Sequence, residues 1–206
     1  EIIENNFSKK LQEKHQNKIL RKFLVGRAIF VVLILLAWYV IKFTKKFEYE
    51  GINFEIVKFC DAGPCLIVYN TKMPVIVNEK NAEYNFYLRN DPRKIGKEVP
   101  FYGDLSLAKN LVLNGIENFN CDGDGVIAIA NLQNLYKISG RNAIRDENAT
   151  CDPEGRYAFI LLQPGNETSI EKVGPSCYNV NINNCEILEA TERLMLESFI
   201  EINKLI

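Results

Sequence analysis

The stretch GRAIFVVLILLAWYVIKF, residues Gly26–Phe43, holds fourteen apolar residues without a break from Ala28 to Ile41. Three readings compete for it: a buried core helix, a signal peptide or a membrane span. A bilayer core asks for about 20 apolar residues. Phe23, Leu24 and Val25 precede Arg27, and Phe43 follows Lys42, so the stretch extends to the 21 residues Phe23–Phe43. Both charges lie near its ends, where long side chains reach a headgroup layer. Trp38 and Tyr39 stand where an interfacial aromatic belt belongs, and a core helix rarely has apolar residues on every face over about four turns. The sequence therefore predicts a transmembrane helix over 23–43. The next residues, KFTKKFEYE, are bulky and charged and offer no small-residue cleavage site, so the span reads as an uncleaved signal-anchor. The chain opens on Glu1 rather than Met, which leads us to expect a trimmed chain with residues missing upstream.

Charge divides the chain at the same place. Residues 1–46 carry ten Lys/Arg against three Asp/Glu, and residues 47–206 carry fifteen against twenty-three. Lys9, Lys10, Lys14, Lys18, Arg21, Lys22 and Arg27 precede the apolar core, and Lys42, Lys45 and Lys46 follow it. The positive-inside bias then places the N-terminus in the cytoplasm and the acidic bulk outside the cell membrane, as a single-pass protein. The segment NNFSKKLQEKHQNKILRKF reads as a helix running into the span. Its basic residues serve as the topology signal before they serve as a contact for anionic lipid or a cytoplasmic partner. They are too few, and lack the aromatic platform, for nucleic acid. The expected organisation is a basic, helical cytoplasmic segment (1–22), the span (23–43) and an extracytoplasmic domain (44–206).

All six cysteines, Cys60, Cys65, Cys121, Cys151, Cys177 and Cys185, follow the apolar run. An even number in an oxidising compartment points to three disulfides, with fifteen possible pairings. Proximity favours Cys60–Cys65 and Cys177–Cys185, which leaves Cys121–Cys151. The spacings are not those of a zinc site and no histidine is at hand. Two sequons, Asn148–Thr150 and Asn166–Thr168, suit a glycoprotein facing outward. A third at Asn6 would be cytoplasmic, and a chain with 23 Asn generates such matches by chance.

Within the outer region, FEYEGINFEIVKF alternates as strand. CLIVYNTKMPVIV is rich in Val and Ile, with Pro74 marking an edge or bend. AEYNFYLRNDP sets Tyr84, Phe86 and Leu88 on one face and ends in a turn signal. VIAIANLQNLYKISG reads as strand passing into a helix stopped by Gly140, and RYAFILLQ and SCYNVNIN as two more strands. NNCEILEATERLMLESFIEINKLI carries the apolar stripe Leu188, Met195, Phe199, Ile202 and Ile206 of a helix that we expect to be covered by the sheet. Asn183 and Glu186 resemble its capping box. The fold class expected is α+β: a transmembrane helix, then one mostly antiparallel, β-rich domain with a C-terminal helix. NETSIEK and NNCEILEATERLML, with paired cysteines ahead of them, resemble uncharacterised single-span membrane proteins of archaea. That resemblance covers the last third of the chain and implies no activity or site.

Chemistry is sparse. Asn118, Asn120, Asp122 and Gly123 mimic half an EF-hand loop, but position twelve is Ile129 where a bidentate Glu belongs, so a Gly-rich turn before a strand outweighs calcium. Glu186, Glu189, Glu192, Glu197 and Glu201 read as the solvated face of the last helix, with Glu189–Arg193 as an i,i+4 pair. The only histidine, His15, lies before the span, and G-x-S-x-G, Gly-rich phosphate loops and H-E-x-x-H are all lacking. No catalytic residue, metal site or cofactor is assigned. The favoured function is a non-enzymatic, membrane-anchored extracytoplasmic domain that binds a partner or stabilises a surface complex, its partners being the lipid bilayer and another membrane or surface protein. The alternative is a tethered hydrolase using a carboxylate pair.

Overall fold

The computed structural model describes residues 21–36, 38–39, 45–60, 63–77, 80–117 and 119–204. Most of the basic segment, His15, the sequon at Asn6, Asn118 and Ile206 lie outside the described residues. The chain divides into two compact units, Glu1–Lys45 and Lys46–Ile206.

In the first unit, helix α1 covers residues 21–36, Trp38 and Tyr39 are also helical, and every described side chain is exposed. Among the described residues no helix is long and apolar enough to cross a membrane. The expected transmembrane helix over 23–43 is therefore overturned. Sixteen continuous helical residues rise about 24 Å, short of a hydrocarbon core of about 30 Å. Arg21, Lys22 and Arg27 occupy three of those positions. Residues 37 and 40–43 lie outside the described set.

The second unit is an α+β domain with two sheets. The first is an antiparallel meander in the order β1-β2-β3-β4, comprising β1 (Lys46–Tyr49), β2 (Ile52–Phe59), β3 (Leu66–Val77) and β4 (Lys80–Leu88). Glu50 and Gly51, both at positive φ, close the β1–β2 hairpin, the two-residue turn whose twist suits antiparallel neighbours. Phe47, Phe54, Met73, Phe86 and Leu88 face inward. Pro74 stands where β3 has outrun β2, whose pairing ends at Phe54↔Thr71, so β4 is its only neighbour there. A residue without a ladder N–H is tolerated at such an edge.

The second sheet has the order β5-β9-β10-β8-β6-β7. Its strands are β5 (Phe101–Tyr102), β6 (Asn110–Gly115), β7 (Asn142–Ile144), β8 (Ala158–Pro164), β9 (Ser169–Gly174) and β10 (Cys177–Ile182). Only β9–β10 is antiparallel; the other four pairings are parallel. The expectation of a mostly antiparallel domain fails here. Parallel neighbours need long crossovers, and two of the intervening stretches supply them: the α3 helix between β6 and β7, and the loop 145–157 between β7 and β8. Residue alternation within a strand does not reveal the direction of its neighbour.

Three helices belong to this domain: α2 (Pro92–Glu98), α3 (Asp124–Ile138) and α4 (Ile187–Asn203). Asp91 caps α2 by accepting from the Arg93 N–H, with Pro92 in the first turn, so the Asn90-Asp91-Pro92 turn signal is a helix start. Helix α4 is the centre of this domain. It packs on α2 and α3, on β2 of the first sheet and on β9 and β10 of the second. The Phe199 ring lies 5.3 Å from that of Phe86. Leu188, Leu194, Met195, Leu196 and Phe199 are all buried, and Ile202 is half-buried. A second, smaller cluster of Val112, Phe159 and Cys177 covers the far face of the larger sheet under the loop that holds Ala149 and Cys151.

Candidate functional site

The C-terminal helix corrects the reading of its acidic residues. Glu192 is buried, not solvated. Its carboxylate accepts from the Arg89 and Asn90 backbone N–H groups at 2.6 and 2.9 Å and from the Asn90 side chain at 3.0 Å, tying α4 to the β4–α2 turn. Burial pushes its pKa up to about 7, against the pull of those three donors. Arg193 pairs with Glu197 rather than Glu189, donates to the Val99 carbonyl at 3.1 Å and stands 5.5 Å over the Phe101 ring. The stripe rule fails because α4 has neighbours on nearly all sides, so its polar positions are buried and must be satisfied by partners. The expected capping box is not made: Glu186 supplies no side-chain cap, and its carboxylate accepts instead from the Thr168 hydroxyl.

The six cysteines form three disulfides and leave no free thiol. Cys60–Cys65 closes the β2–β3 hairpin. The other two pairings differ from those that proximity suggests: Cys121 joins Cys185, 64 positions on, and Cys151 joins Cys177. The first ties the loop before α3 to the loop before α4. The second ties the 145–157 loop to β10. Both link segments that the fold, not the sequence, makes neighbours.

Asn148 lies in an exposed turn and Asn166 is exposed, whereas Thr168 of the second sequon is buried, its hydroxyl engaged with Glu186. The half EF-hand loop becomes a single 3-10 turn, Cys121–Gly123, leading into a helix rather than a strand. Asp124 begins that helix and binds Arg89 at 3.0 Å. Among the described residues no group of three or more His, Cys, Asp or Glu side chains could hold a metal ion.

A cleft of about 1060 Å³ lies between α3 and the β6–β7 side of the larger sheet. Local sequence explains its walls. At Gly125 a Cβ would meet the Phe119 carbonyl oxygen at 1.8 Å, so glycine lets the loop press against the first turn of α3. Gly140, at φ +74°, ends α3. The Arg141 N–H then returns to the Tyr136 carbonyl, and the Asn142 N–H reaches Lys109 to start β7, a glycine-terminated helix end. The floor is Leu111, Leu113, Ile129 and Leu162, and the rim carries amides and charges.

Gln133, Asn134 and Lys137 project from α3 into this cleft, are exposed, and have no side-chain partner among the described residues. Arg141 and Arg145 flank β7; Arg141 donates to the Ser139 carbonyl at 3.2 Å, and Arg145 pairs with Glu147 at 2.7 Å. The lining includes one carboxylate, Glu117, and so no carboxylate pair. The second cavity, about 530 Å³, does hold two, Glu55 and Glu83, each bound to a lysine, Lys46 at 3.9 Å and Lys72 at 2.6 Å. Sequence reasoning missed the cleft. Lys137, Arg141 and Arg145 recur every four residues, which as a pattern is a solvated helix face; Gly140 between them is the sign that the last two lie beyond the helix, where they flank β7.

No family model matches the chain, and no curated protein or solved structure matches it either. The geometry alone therefore carries the functional argument.

Proposed function

We propose that this chain is a non-catalytic binding protein, that residues 46–206 work in an oxidising, extracytoplasmic compartment, and that the α3 cleft is the seat of a protein partner. The observation that carries the reading is the row Gln133, Asn134 and Lys137, polar groups on helix α3 that face a cavity and that no described group of the chain satisfies. A concave site with an apolar floor and a few convergent polar groups is the usual form of a ligand seat. Three disulfides with no free thiol support the compartment, since such bonds persist where thiols are not kept reduced. The exposed Asn148 and Asn166 suit acceptors of N-linked glycan there.

The test has two arms. Protein isolated from its source membranes or medium without reductant, alkylated and weighed, should carry no alkylated cysteine; six alkylated cysteines would end the compartment reading. Full-length protein should be screened against arrays of peptides and oligosaccharides, beside a Gln133→Ala/Asn134→Ala/Lys137→Ala variant that melts normally. At least one ligand should be held by the parent and lost by the variant. Ligands held equally by both would remove the cleft from the function.

A further inference from the structure

One edge of the larger sheet is β7, only three residues long and exposed at all three, whose sole strand neighbour among the described residues is β6. An edge strand leaves backbone N–H and C=O groups unpaired along one side. Here that edge lies in the lining of the α3 cleft. Its two ends are Arg141 and Arg145, and Lys137 looks on from the last turn of α3. Residues 47–206 carry a net charge of −8, yet this lining holds three cations against the single Glu117. Among the described residues the one ion pair that engages them, Arg145–Glu147, has both side chains more than 70% exposed, and an exposed pair of that kind is easily exchanged for another partner. A local cationic rim in an acidic domain selects an anionic ligand by complementarity and repels other approaches to the surface.

We propose that the partner is recognised through an extended acidic peptide segment, which adds as a further strand along β7 and sets its carboxylates on Lys137, Arg141 and Arg145. This rests on the binding reading given above and specifies its ligand. Main-chain hydrogen bonds to β7 supply affinity, and alternate side chains supply selectivity. The guanidinium groups at the two ends of the strand suit carboxylates bidentately. Ala143, at the middle of β7, is small and exposed.

The probe is a capped octapeptide of alternating Glu and Val, titrated into full-length, disulfide-intact protein. Its controls are an octapeptide of alternating Gln and Val and an acidic oligosaccharide such as oligogalacturonate. The Glu/Val peptide should bind at least tenfold more tightly than the Gln/Val peptide and should weaken as salt rises. A Lys137→Ala/Arg141→Ala/Arg145→Ala variant, shown by thermal melt to be folded, should lose at least tenfold in affinity. Hydrogen exchange at the amides of 142–144 should slow in the complex. Equal binding of the two peptides, or binding that leaves exchange at β7 unchanged, would overturn the proposal. Oligogalacturonate held through the three cations while neither peptide binds would overturn it as well and leave the cleft a binding site. The absence of any ligand dependent on the cleft would remove both readings.

Discussion

The four-stranded and six-stranded sheets are built from pairings of opposite reach. In the smaller sheet every strand pairs antiparallel with the next one in sequence, and its one disulfide closes a hairpin over a separation of five. In the larger sheet only β9–β10 is a hairpin, and the two disulfides in and around it span separations of 26 and 64. Helix α4 lies against both sheets. Local pairing needs little loop closure and leaves a readable pattern, whereas distant pairing is held by groups whose partners are set by topology. The two sheets should therefore fail differently when their supports are removed, and α4 should be the support that they share.

The largest expected effect is on α4. Deleting Thr191–Ile206 should abolish cooperative melting, because several side chains worth about 1.5–3 kcal/mol each leave the core, more than a typical domain stability of about 5–15 kcal/mol can spare. Leu194→Ala should cost about 2–5 kcal/mol in a denaturant titration. A truncated chain that still melts near the full-length temperature would show that the sheets stand without their common helix.

Next come the disulfides. Chain-entropy arguments assign about 4 kcal/mol to Cys121–Cys185, about 3.5 to Cys151–Cys177 and about 2 to Cys60–Cys65. Paired Cys→Ser variants, compared by urea midpoint, should follow that order. An equal or greater loss at Cys60–Cys65 would break the contrast between the local and distant sheets.

Glu192 gives a smaller, pH-dependent effect. Its pKa rises from an ordinary 4.5 to about 7 on folding, so the folded state holds the proton more tightly than the unfolded state. Its contribution to stability is complete below about pH 4.5 and is lost as pH climbs through about 7. The advantage of the parent protein over Glu192→Gln should therefore shrink between pH 4.5 and 7.5, on top of about 1–3 kcal/mol for donors left facing an amide NH₂. A difference independent of pH would show that the carboxyl does not titrate in this range. The smallest effect is in the four-stranded sheet, where Lys72→Ala should leave the urea midpoint almost unchanged, since the Lys72–Glu83 pair is exposed on both sides.

How much of this is legible in the sequence follows the same division. Alternation in FEYEGINFEIVKF and AEYNFYLRNDP is enough to read β1, β2 and β4, and the five-residue separation of Cys60 and Cys65 is enough to pair them. The strands NLVLNG, NAI and SIEKVG carry no comparable signal: NAI has three residues, and the other two hold only three and two apolar residues among polar ones and glycine. Pairing by proximity fails for Cys121, Cys151, Cys177 and Cys185 because parallel crossovers bring distant loops together. Glu192 and Arg193 look like surface residues because charge in a helix usually means solvent, and nothing local announces that α4 is enclosed. In α1 the same rule errs the other way: apolar composition on every face accompanies full exposure of the described side chains. Of the candidate cleft, only the cations are visible beforehand, and their spacing of four suggests a helix that Gly140 has already ended.

The order in which the cysteines are joined has a consequence for biosynthesis. Helix α4 follows every element that it touches, so the slot between the sheets stays unfilled on the ribosome until Ile187–Asn203 emerges. Cys121 and Cys151 are both translated before either of their final partners. In an oxidising lumen or exterior these two early thiols are free to join each other. Release then follows when the Cys177 thiolate attacks the Cys151 sulfur and Cys121 leaves as a thiolate, a step of thiol–disulfide exchange; a thiol oxidant of the compartment then removes two electrons to join Cys121 to Cys185. Maturation of this chain should accordingly depend on an isomerase, whereas the Cys60–Cys65 hairpin needs only an oxidant.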